Sequence, residues 1–212
     1  MPSVPLTPKN NRVSLKNIIL DFGGVLIDWN PHYLLDDYFQ SREKASWFIA
    51  NICTAEWNGE MDKGKPFEQG IAELSARYPE WAREIRLYYT GWIRMIGDEI
   101  PGMYRLECDL KAAGYRLFGL TNWSTETFCQ VSGKRIFTIL DGMVVSGEER
   151  LLKPDPSIYR ILLDRWNLVP EECLFVDDNQ VNVEGAQAVG IPALRFSGAE
   201  DLRQRIFTNA IV

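Results

Sequence analysis

The sequence predicts an α/β fold in which a mostly parallel sheet forms a core and a helical subdomain is inserted into it. Three observations lead to this prediction. Short apolar runs alternate with helix-length segments in the second half of the chain, which is the pattern of βα units in a parallel sheet. A similar apolar run lies near the N-terminus. Between them, from His32 to about Ile96, apolar residues follow helical spacing and no convincing strand is found.

The composition is that of an ordinary globular protein. The chain has 212 residues, enough for one large domain or for a core with a small second domain. Its formal net charge of −6 and pI near 5.0 argue against a nucleic-acid-binding surface, because such surfaces need clustered Lys and Arg. No segment approaches the roughly 20 apolar residues of a membrane helix.

The sequence favours a cytoplasmic location. Residues 1–16 are polar and contain prolines, and they lack the apolar centre of a signal peptide. Cys53, Cys108, Cys129 and Cys173 are scattered, without a CxxC pair or the spacing of metal ligands. We therefore expect free, reduced thiols.

The core begins with the stretch Asn17–Asp28. Ile18-Ile19-Leu20 is an apolar run without alternation, which predicts a strand buried on both faces. Asp21 ends the run, and Phe22-Gly23-Gly24 follows as a loop where the backbone can approach a ligand closely. Ligands of open α/β sheets bind at the carboxyl ends of the strands. Asp21 is therefore a candidate nucleophile or metal ligand, and an Asp-containing turn is the structural alternative.

The helical subdomain is predicted at residues 29–99, which leaves residues 1–28 and 100–212 for the core. Trp29-Asn30-Pro31 breaks the strand pattern, and proline suits the first turn of a helix. Asn58–Gly64 is expected to be a polar loop. Helices are predicted around residues 34–39, 47–52, 66–76 and 79–96.

The second half of the chain returns to alternating strands and helices. Gly114 and Gly190 each end a predicted helix, as glycine commonly does. Strands are predicted at residues 115–120, 139–145, 173–176 and 191–196. Helices are predicted at residues 101–113 and 156–166, after Asp178 as far as about residue 189, and near residues 201–207.

Polar residues stand at the ends of three predicted strands. Asp21 ends the first, Thr121-Asn122 the second and Asp177-Asp178 the third, while Lys153 precedes a helix. If these strands are neighbours, one crevice holds three carboxylates, a hydroxyl, an amide and an ammonium. Clustered carboxylates repel one another unless a cation lies between them, and hard oxygen ligands suit Mg²⁺. A hydroxyl, an amine and loop N–H groups beside that cation would hold phosphate, so the pattern indicates phosphoryl transfer.

These four segments resemble, in order and separation, motifs I to IV of the haloacid dehalogenase-like hydrolase superfamily, and the resemblance covers residues 15–212. It implies a Rossmann-like core with the helical insertion as a cap. It also implies that Asp21 is the nucleophile that forms an aspartyl-phosphate, that Thr121 binds the phosphoryl group and that Lys153 balances the charge.

The same resemblance implies a metal and a substrate. The Mg²⁺ ligands would be Asp21, Asp177, Asp178 and the backbone carbonyl of Gly23. It implies that Thr121 and Lys153 bind the substrate, and Asn122 and Gly23 are further candidate substrate-binding positions. The expected partner is a small phosphorylated metabolite, with sugar phosphates favoured, and neither a nucleic acid nor a membrane.

One position departs from the family pattern. Most phosphatases of this superfamily carry a second Asp two residues after the nucleophile as general acid and base, and here that residue is Gly23. General acid–base catalysis is typically worth about 10² to 10⁴ in rate. Three hypotheses follow: the leaving oxygen is unusually acidic, as in an anomeric sugar phosphate; another group or a water supplies the proton; or catalysis is feeble. His32, the only histidine, is a candidate proton donor.

Dehalogenases of the same superfamily also lack the second Asp and need no metal. Packing Asp177-Asp178 near Asp21 without a cation would be costly, which favours a phosphatase. The segments Asp-Phe-Gly-Gly-Val-Leu and Phe-Val-Asp-Asp-Asn are similar to the subgroup that includes glucose-1-phosphate phosphatases. We therefore expect Mg²⁺-dependent hydrolysis of a small phosphate monoester. A metal-independent 2-haloacid dehalogenase and a degenerate, non-catalytic family member are the alternatives.

Other side chains are weaker candidates for substrate contact. Trp29, Trp57 and Trp123 would line a sugar-binding cleft, although aromatic residues at helical spacing more often belong to a core. Glu60 and Asp62 would contact substrate hydroxyls only if their predicted loop faces the site; a solvated loop is the alternative.

Overall fold

The computed structural model describes residues 15–208, and the predictions for residues 1–14 lie outside them. Seven strands are described: β1 (Asn17–Leu20), β2 (Ile27–Trp29), β3 (Ile96–Glu99), β4 (Arg116–Thr121), β5 (Gly142–Val145), β6 (Cys173–Asp177) and β7 (Ala193–Arg195). Five of them form a parallel sheet in the order β5-β4-β1-β6-β7. The predicted α/β fold with a mostly parallel sheet is confirmed.

Helices surround this sheet and fill the segment between β2 and β3. The α-helices are α1 (His32–Phe39), α2 (Arg42–Asn51), α3 (Ala55–Asp62), α4 (Phe67–Arg77), α5 (Ala82–Thr90), α6 (Met103–Ala112), α7 (Thr125–Phe128), α8 (Arg135–Thr138), α9 (Ser146–Glu149), α10 (Pro156–Arg165), α11 (Gln180–Ala188) and α12 (Ala199–Phe207). Short 3₁₀ helices lie at Pro79–Trp81, Trp92–Met95 and Pro170–Glu172. None of the helices within residues 15–208 has the length and apolar character needed to cross a bilayer.

The central strand β1 is buried on both faces, as its sequence predicts. Ile18, Ile19 and Leu20 have no exposed surface. Ile18 and Leu20 belong to one hydrophobic cluster and Ile19 to the other, because successive side chains of a strand point to opposite faces. Since β1 pairs with both β4 and β6, its carboxyl end lies in the middle of the sheet edge.

The chain leaves and re-enters the core through two strands that were not predicted. β2 and β3 pair antiparallel, with Ile27 opposite Glu99 and Trp29 opposite Ile96. Both are short and mix apolar with polar residues, so neither shows a clear strand pattern. Their pairing depends on two segments that are far apart in the sequence.

Two predictions within the helical segment are wrong. Asn58–Gly64 is not a loop over its whole length, because α3 runs to Asp62. The Thr54 hydroxyl accepts a hydrogen bond from the Trp57 N–H and caps this helix, and Trp57 and Met61, one turn apart, are both buried. The predicted helix at residues 79–96 is divided into two 3₁₀ helices and α5, with Gly91 at the second break.

The remaining predicted elements exist, with ends that differ by a few residues. The predicted strand at residues 139–145 is shorter than expected and begins at Gly142. All four cysteines are free, as expected.

Candidate active site

Three polar side chains meet where β1, β4 and β6 end. Asp21 follows β1, Thr121 is the last residue of β4 and Asp177 is the last residue of β6. All three are buried. They lie side by side because the three strands are adjacent and parallel, so their carboxyl ends share one edge of the sheet. The sequence predicts a shared crevice if these strands are neighbours. In the structure they are neighbours.

Lys153 joins two of these carboxylates. Its Nζ lies 2.8 Å from Asp21 Oδ1 and 2.7 Å from Asp177 Oδ2, and it donates to the backbone oxygen of Leu120 at 2.8 Å. These three acceptors match the three protons of an ammonium. The side chain is almost completely buried. The Lys153 charge is therefore directed at the nucleophile candidate and at the strand end beside it.

Asn122 holds the backbone of Lys153 in place. Its side-chain Oδ1 accepts from the Lys153 N–H at 2.8 Å, and its Nδ2 donates to the Lys153 carbonyl at 3.0 Å. Because this pair of bonds uses both ends of the amide, the side chain is engaged with the protein. A contact with substrate would then come from the remaining hydrogen-bonding capacity of Asn122 or from its backbone.

Asp177 is held by protein donors on several sides. Besides Lys153, it accepts from the Asn179 N–H at 2.8 Å and from Asn182 Nδ2 at 3.1 and 3.2 Å. Asn182, on α11, was not singled out from the sequence. Its only signal is its position in the first turn of the helix that follows the Asp177-Asp178 pair.

Burial and the opposite charge of the partner act in opposite directions on the pKa of Asp21 and on the pKa of Lys153. Burial raises the pKa of Asp21 to about 7, and the Lys153 ammonium opposes that rise. Burial acts to lower the pKa of Lys153, but the carboxylates of Asp21 and Asp177 raise it above its ordinary value. Burial also raises the pKa of Asp178. Lys153 thus keeps its proton, and added positive charge would favour the ionised carboxylates.

The three carboxylates are close enough to share a cation. Asp21, Asp177 and Asp178 each offer an oxygen, and these oxygens lie within 4.8 Å of one another. Gly24 brings the loop against this cluster: its φ is +75°, and a Cβ built there would lie 2.5 Å from Asp178 Oδ2. Only glycine reaches both this conformation and this approach without strain.

Gly23 differs from Gly24 in having room for a side chain. Among the described residues, a Cβ built at Gly23 would meet no atom within 4 Å apart from its chain neighbours. The residue lines the same cavity as Asp21. The absence of a carboxylate here is therefore not imposed by the packing around it.

A cavity of about 120 Å³ lies over the sheet edge. Its polar lining comes mainly from Asp21, Thr121, Lys153 and three asparagines, whereas three indole rings supply apolar walls. The lining residues are Asp21, Gly23, Trp29, Asn58, Asp62, Trp92, Thr121, Asn122, Trp123, Lys153 and Asn182. The cavity thus combines carboxylate, ammonium, hydroxyl and amide groups with aromatic walls.

The weaker candidates from the sequence divide between this cavity and other places. Trp29, Trp123 and Asp62 line it, but Trp57 donates its indole N–H to the Gly70 carbonyl. His32 does not line it and lies 2.6 Å from Asp36 through Nδ1.

Two further lining residues, Asn58 and Trp92, were missed. Asn58 falls in the predicted polar loop, and Trp92 falls in the predicted helix at residues 79–96. No local pattern in the sequence marks either as facing a site.

The chain is similar in sequence to known hydrolases. A family model described as haloacid dehalogenase-like hydrolase matches residues 15–190. The phosphorylated carbohydrates phosphatase of Thermotoga maritima is 41% identical over 184 residues, which are 84% of this chain and 82% of that protein. The sesquiterpene phosphatase astK of Aspergillus oryzae is 27% identical over 185 residues, 87% of this chain and 91% of that protein.

Dehalogenases are also among the similar proteins. The (S)-2-haloacid dehalogenase 1 of Pseudomonas sp. strain CBS-3 is 32% identical over 89 residues, 42% of this chain and 39% of that protein. A solved structure with the same fold is a haloacid dehalogenase family enzyme of Bacteroides thetaiotaomicron in complex with magnesium and inorganic phosphate. It has a TM-score of 0.66 at 20% identity and covers 89% of this chain and 97% of that one.

Proposed function

The chain belongs to the haloacid dehalogenase-like hydrolase family, and on this basis we propose that it is a Mg²⁺-dependent phosphatase of small phosphate monoesters. The observation that supports this best is the arrangement of Asp21. It is buried at the sheet edge, it is paired with Lys153, and it shares a cavity with Thr121 and a carboxylate cluster with Asp177 and Asp178.

Asp21 is suited to attack phosphorus. Its Oδ1 accepts from the Phe22 N–H at 2.7 Å and pairs with Lys153 at 2.8 Å, so the orientation of the carboxylate is set before a substrate binds. Attack by the carboxylate forms a P–O bond and an aspartyl-phosphate as the leaving oxygen departs. Water then attacks the phosphorus of this intermediate, which regenerates the carboxylate and releases inorganic phosphate.

In the proposed reaction, Thr121 and Lys153 stabilise the phosphoryl group. The Lys153 ammonium lies between Asp21 and Asp177, and the Thr121 residue lies on the neighbouring strand and lines the cavity. Charge on the equatorial oxygens of a transferring phosphoryl group is stabilised by fixed donors of this kind.

The residues present fit a divalent cation. Three carboxylates and one ammonium, those of Asp21, Asp177, Asp178 and Lys153, leave a formal charge of −2 (three negative charges and one positive) in a cluster where only Asp178 is exposed. Oxygen ligands suit Mg²⁺, which we propose is held chiefly by Asp21 and Asp178, with the Gly23 carbonyl and Asp177 nearby. When bound, Mg²⁺ would neutralise charge on the phosphoryl oxygens and lower the repulsion between phosphate and carboxylate.

The proposed substrate is a sugar phosphate or a phosphate ester of similar size. The indole rings of Trp29, Trp92 and Trp123 give the cavity apolar walls against which the carbon face of a sugar can pack. The related Thermotoga maritima protein is named a phosphatase of phosphorylated carbohydrates. We propose that the helical segment, residues 29–99, acts as a cap that encloses the leaving group, because Asn58, Asp62 and Trp92 of this segment line the cavity.

The test measures phosphate release from a panel of sugar phosphates, with Mg²⁺ and with a chelator. Asp21→Asn removes the nucleophile but keeps the shape of the side chain, and Asp164→Asn, on the exposed side of α10, is the matched control. We expect release only with metal, from the wild type and the control, and a loss of at least about 10³-fold in Asp21→Asn. Halide release from a 2-haloacid without metal, and no phosphate release, would make the protein a dehalogenase. Absence of both activities would indicate a degenerate relative.

A further inference from the structure

Breaking an alkyl phosphate ester requires a proton for the leaving oxygen, and most groups in the cavity cannot supply it. Asp21 must be a carboxylate to attack. Lys153 is held in its protonated form by two carboxylates. Amides, indoles and the Thr121 hydroxyl are too weakly acidic to act as proton donors near neutral pH. Of the lining residues, this leaves Asp62.

Asp62 lies at the C-terminal end of α3 and reaches the cavity from the helical segment. Its Oδ1 accepts from the Ser124 N–H at 3.0 Å, and its Oδ2 accepts from Asn58 Nδ2 at 2.8 Å. Within residues 15–208 it forms no ion pair. Each carboxyl oxygen has a second lone pair, so a hydrogen bond at one site leaves room for a proton at the other. The carboxyl group is thus fixed in orientation and still able to carry a proton.

The protonated form of the Asp62 carboxyl group is more stable, relative to the carboxylate, in this buried position than in water. Burial raises the pKa of Asp62 to about 7, and the hydrogen bonds from Ser124 and Asn58 oppose the rise. A carboxyl group with a pKa near the working pH can both donate and accept a proton.

We propose that Asp62 is the general acid and base of this phosphatase, supplied by the helical segment in place of a carboxylate at Gly23. The inference rests on the proposed function. In the first step Asp21 forms its bond to phosphorus, the bond between phosphorus and the leaving oxygen breaks, and the Asp62 carboxyl gives its proton to that oxygen. The products of this step are an alcohol, the aspartyl-phosphate and the Asp62 carboxylate.

The second step restores both residues. Water occupies the place that the alcohol has left, and its oxygen attacks phosphorus as the bond to Asp21 breaks. Asp62 takes one proton of the water, and the other stays on inorganic phosphate. The same carboxyl group serves both steps because leaving group and water occupy the same side of phosphorus, opposite Asp21.

Asp62 also connects the helical segment to the core, which a test must separate from catalysis. Besides the bond from Ser124, its backbone carbonyl accepts from the Ser146 hydroxyl at 2.5 Å. Asp62→Asn keeps an oxygen for the Ser124 N–H and leaves the backbone carbonyl unchanged, but it cannot transfer a proton. Glu56→Gln, an exposed position on the same helix, is the matched control.

The experiment compares two phosphates of similar size whose leaving groups differ in acidity. p-Nitrophenyl phosphate releases an acidic phenol and needs little help from an acid, whereas benzyl phosphate releases a weakly acidic alcohol. In Asp62→Asn we expect kcat/KM for benzyl phosphate to fall by about 10² to 10⁴, and kcat/KM for p-nitrophenyl phosphate to fall less than about tenfold. Because the second step also loses its base, mixing the variant with p-nitrophenyl phosphate should give a burst of one nitrophenolate per enzyme.

A second experiment adds Gly23→Asp to the Asp62→Asn variant and tests whether a carboxyl group at position 23 restores activity. A Cβ at Gly23 would meet no described atom within 4 Å apart from its chain neighbours, and Gly23 lines the same cavity as Asp62. We expect Gly23→Asp to recover benzyl phosphate turnover by at least about tenfold. If Asp62→Asn does not fold, Asp62→Glu keeps the acid but moves it, and the same preference for the better leaving group should appear.

The outcomes separate this inference from the proposed function. Equal losses on the two phosphates, or no loss, in a wild type that hydrolyses phosphates would overturn the role of Asp62 and leave the phosphatase. A wild type that releases phosphate from no substrate would overturn the proposed function, and the role of Asp62 with it. Selective loss with a burst and rescue would establish the acid–base role.

Discussion

Glu107 is a buried carboxyl group without a hydrogen bond to any described residue. Both of its Oε atoms are inaccessible and unpartnered, and it lies on the inward face of α6 beside Leu106 and Leu110. Burial raises the pKa of Glu107 to about 9, and the charge of Glu99 adds to the rise. A carboxyl group in such a place is protonated at neutral pH, because the neutral form costs less to bury than the charged one.

This residue gives a prediction about pH and stability. The folded state holds the Glu107 proton up to about pH 9, whereas the unfolded chain releases it near pH 4.5. The contribution of Glu107 to stability is thus fully present below pH 4.5 and is lost progressively as the pH rises toward 9. Glu107→Gln removes this titration. We compare the free energy of unfolding of Glu107→Gln with that of the wild type. Between pH 4.5 and about pH 9, the variant's value minus the wild-type value should rise by up to about 1.4 kcal/mol per pH unit.

Urea denaturation of both proteins at several values between pH 5 and pH 8 measures the difference. Other buried acids, such as Asp21 and Asp62, titrate equally in both proteins and cancel. Parallel pH curves for wild type and variant would show that Glu107 is ionised, or hydrogen-bonded, in the folded protein.

At the scale of single elements, β4 controls the position of the loop after Asp21. Gly119 lies in the buried part of β4, and a Cβ built there would lie 2.4 Å from Cε1 of Phe22. The Phe22 ring occupies this space and packs against Phe137, with centroids 4.6 Å apart. The missing side chain on β4 thus makes room for the residue that follows Asp21.

Gly119→Ala should therefore affect stability and catalysis together. The methyl group forces the Phe22 ring to move, and overpacking of this kind costs about 1 to 3 kcal/mol. Because the Phe22 N–H donates to Asp21 Oδ1, Asp21, the proposed nucleophile, should move as well, and kcat should fall. Gly133→Ala is the control, since among the described residues its Cβ would meet no atom within 4 Å apart from chain neighbours. Wild-type stability and activity in Gly119→Ala would show that Phe22 can shift freely.

At the scale of the whole molecule, the helical segment is held over the sheet edge by the loop and short helix that follow β4. Glu126, on α7, accepts from the Phe67 N–H at 2.9 Å and from the Tyr89 hydroxyl at 3.0 Å. It caps the first turn of α4 from outside the helix, because the N-cap residue Pro66 makes no side-chain hydrogen bond to that turn. Trp92 and Trp123 meet nearby, with ring centroids 5.5 Å apart.

Removal of this contact should loosen the helical segment without unfolding the core. In Glu126→Ala, α4 loses a cap worth about 1 kcal/mol, so amide exchange in residues 67–77 should become faster while exchange in α12 stays unchanged. KM should rise, because the cavity walls come partly from this segment. Hydrogen–deuterium exchange and steady-state kinetics test both points, with Glu126→Gln as the variant that keeps one acceptor. Faster exchange in α12 as well would indicate global destabilisation instead.

Several features of the site could be anticipated from local sequence. Asp21, Thr121 and Asp177 follow or end apolar strands, and parallel strands bring their carboxyl ends to one edge, so their proximity follows once the strands are adjacent. Lys153 could be noted as a lysine in the loop before a helix, but its charge-balancing role came only from the resemblance to a family motif, because nothing in its own loop indicates an ion pair with two strand ends. The roles of these residues remain predictions.

Local sequence patterns are sufficient to predict the α/β class, the central buried strand and the polar residues at the strand ends. These features depend on spacing along a few neighbouring residues, where burial and periodicity leave a direct pattern. Three features are visible only in the folded protein: the pairing of β2 with β3, the extension of α3 to Asp62, and the presence of Asp62, Asn58 and Trp92 in one cavity with Asp21. Such features depend on contacts between segments far apart in the chain. No local pattern records them, because the free energy that selects them comes from the partner segment.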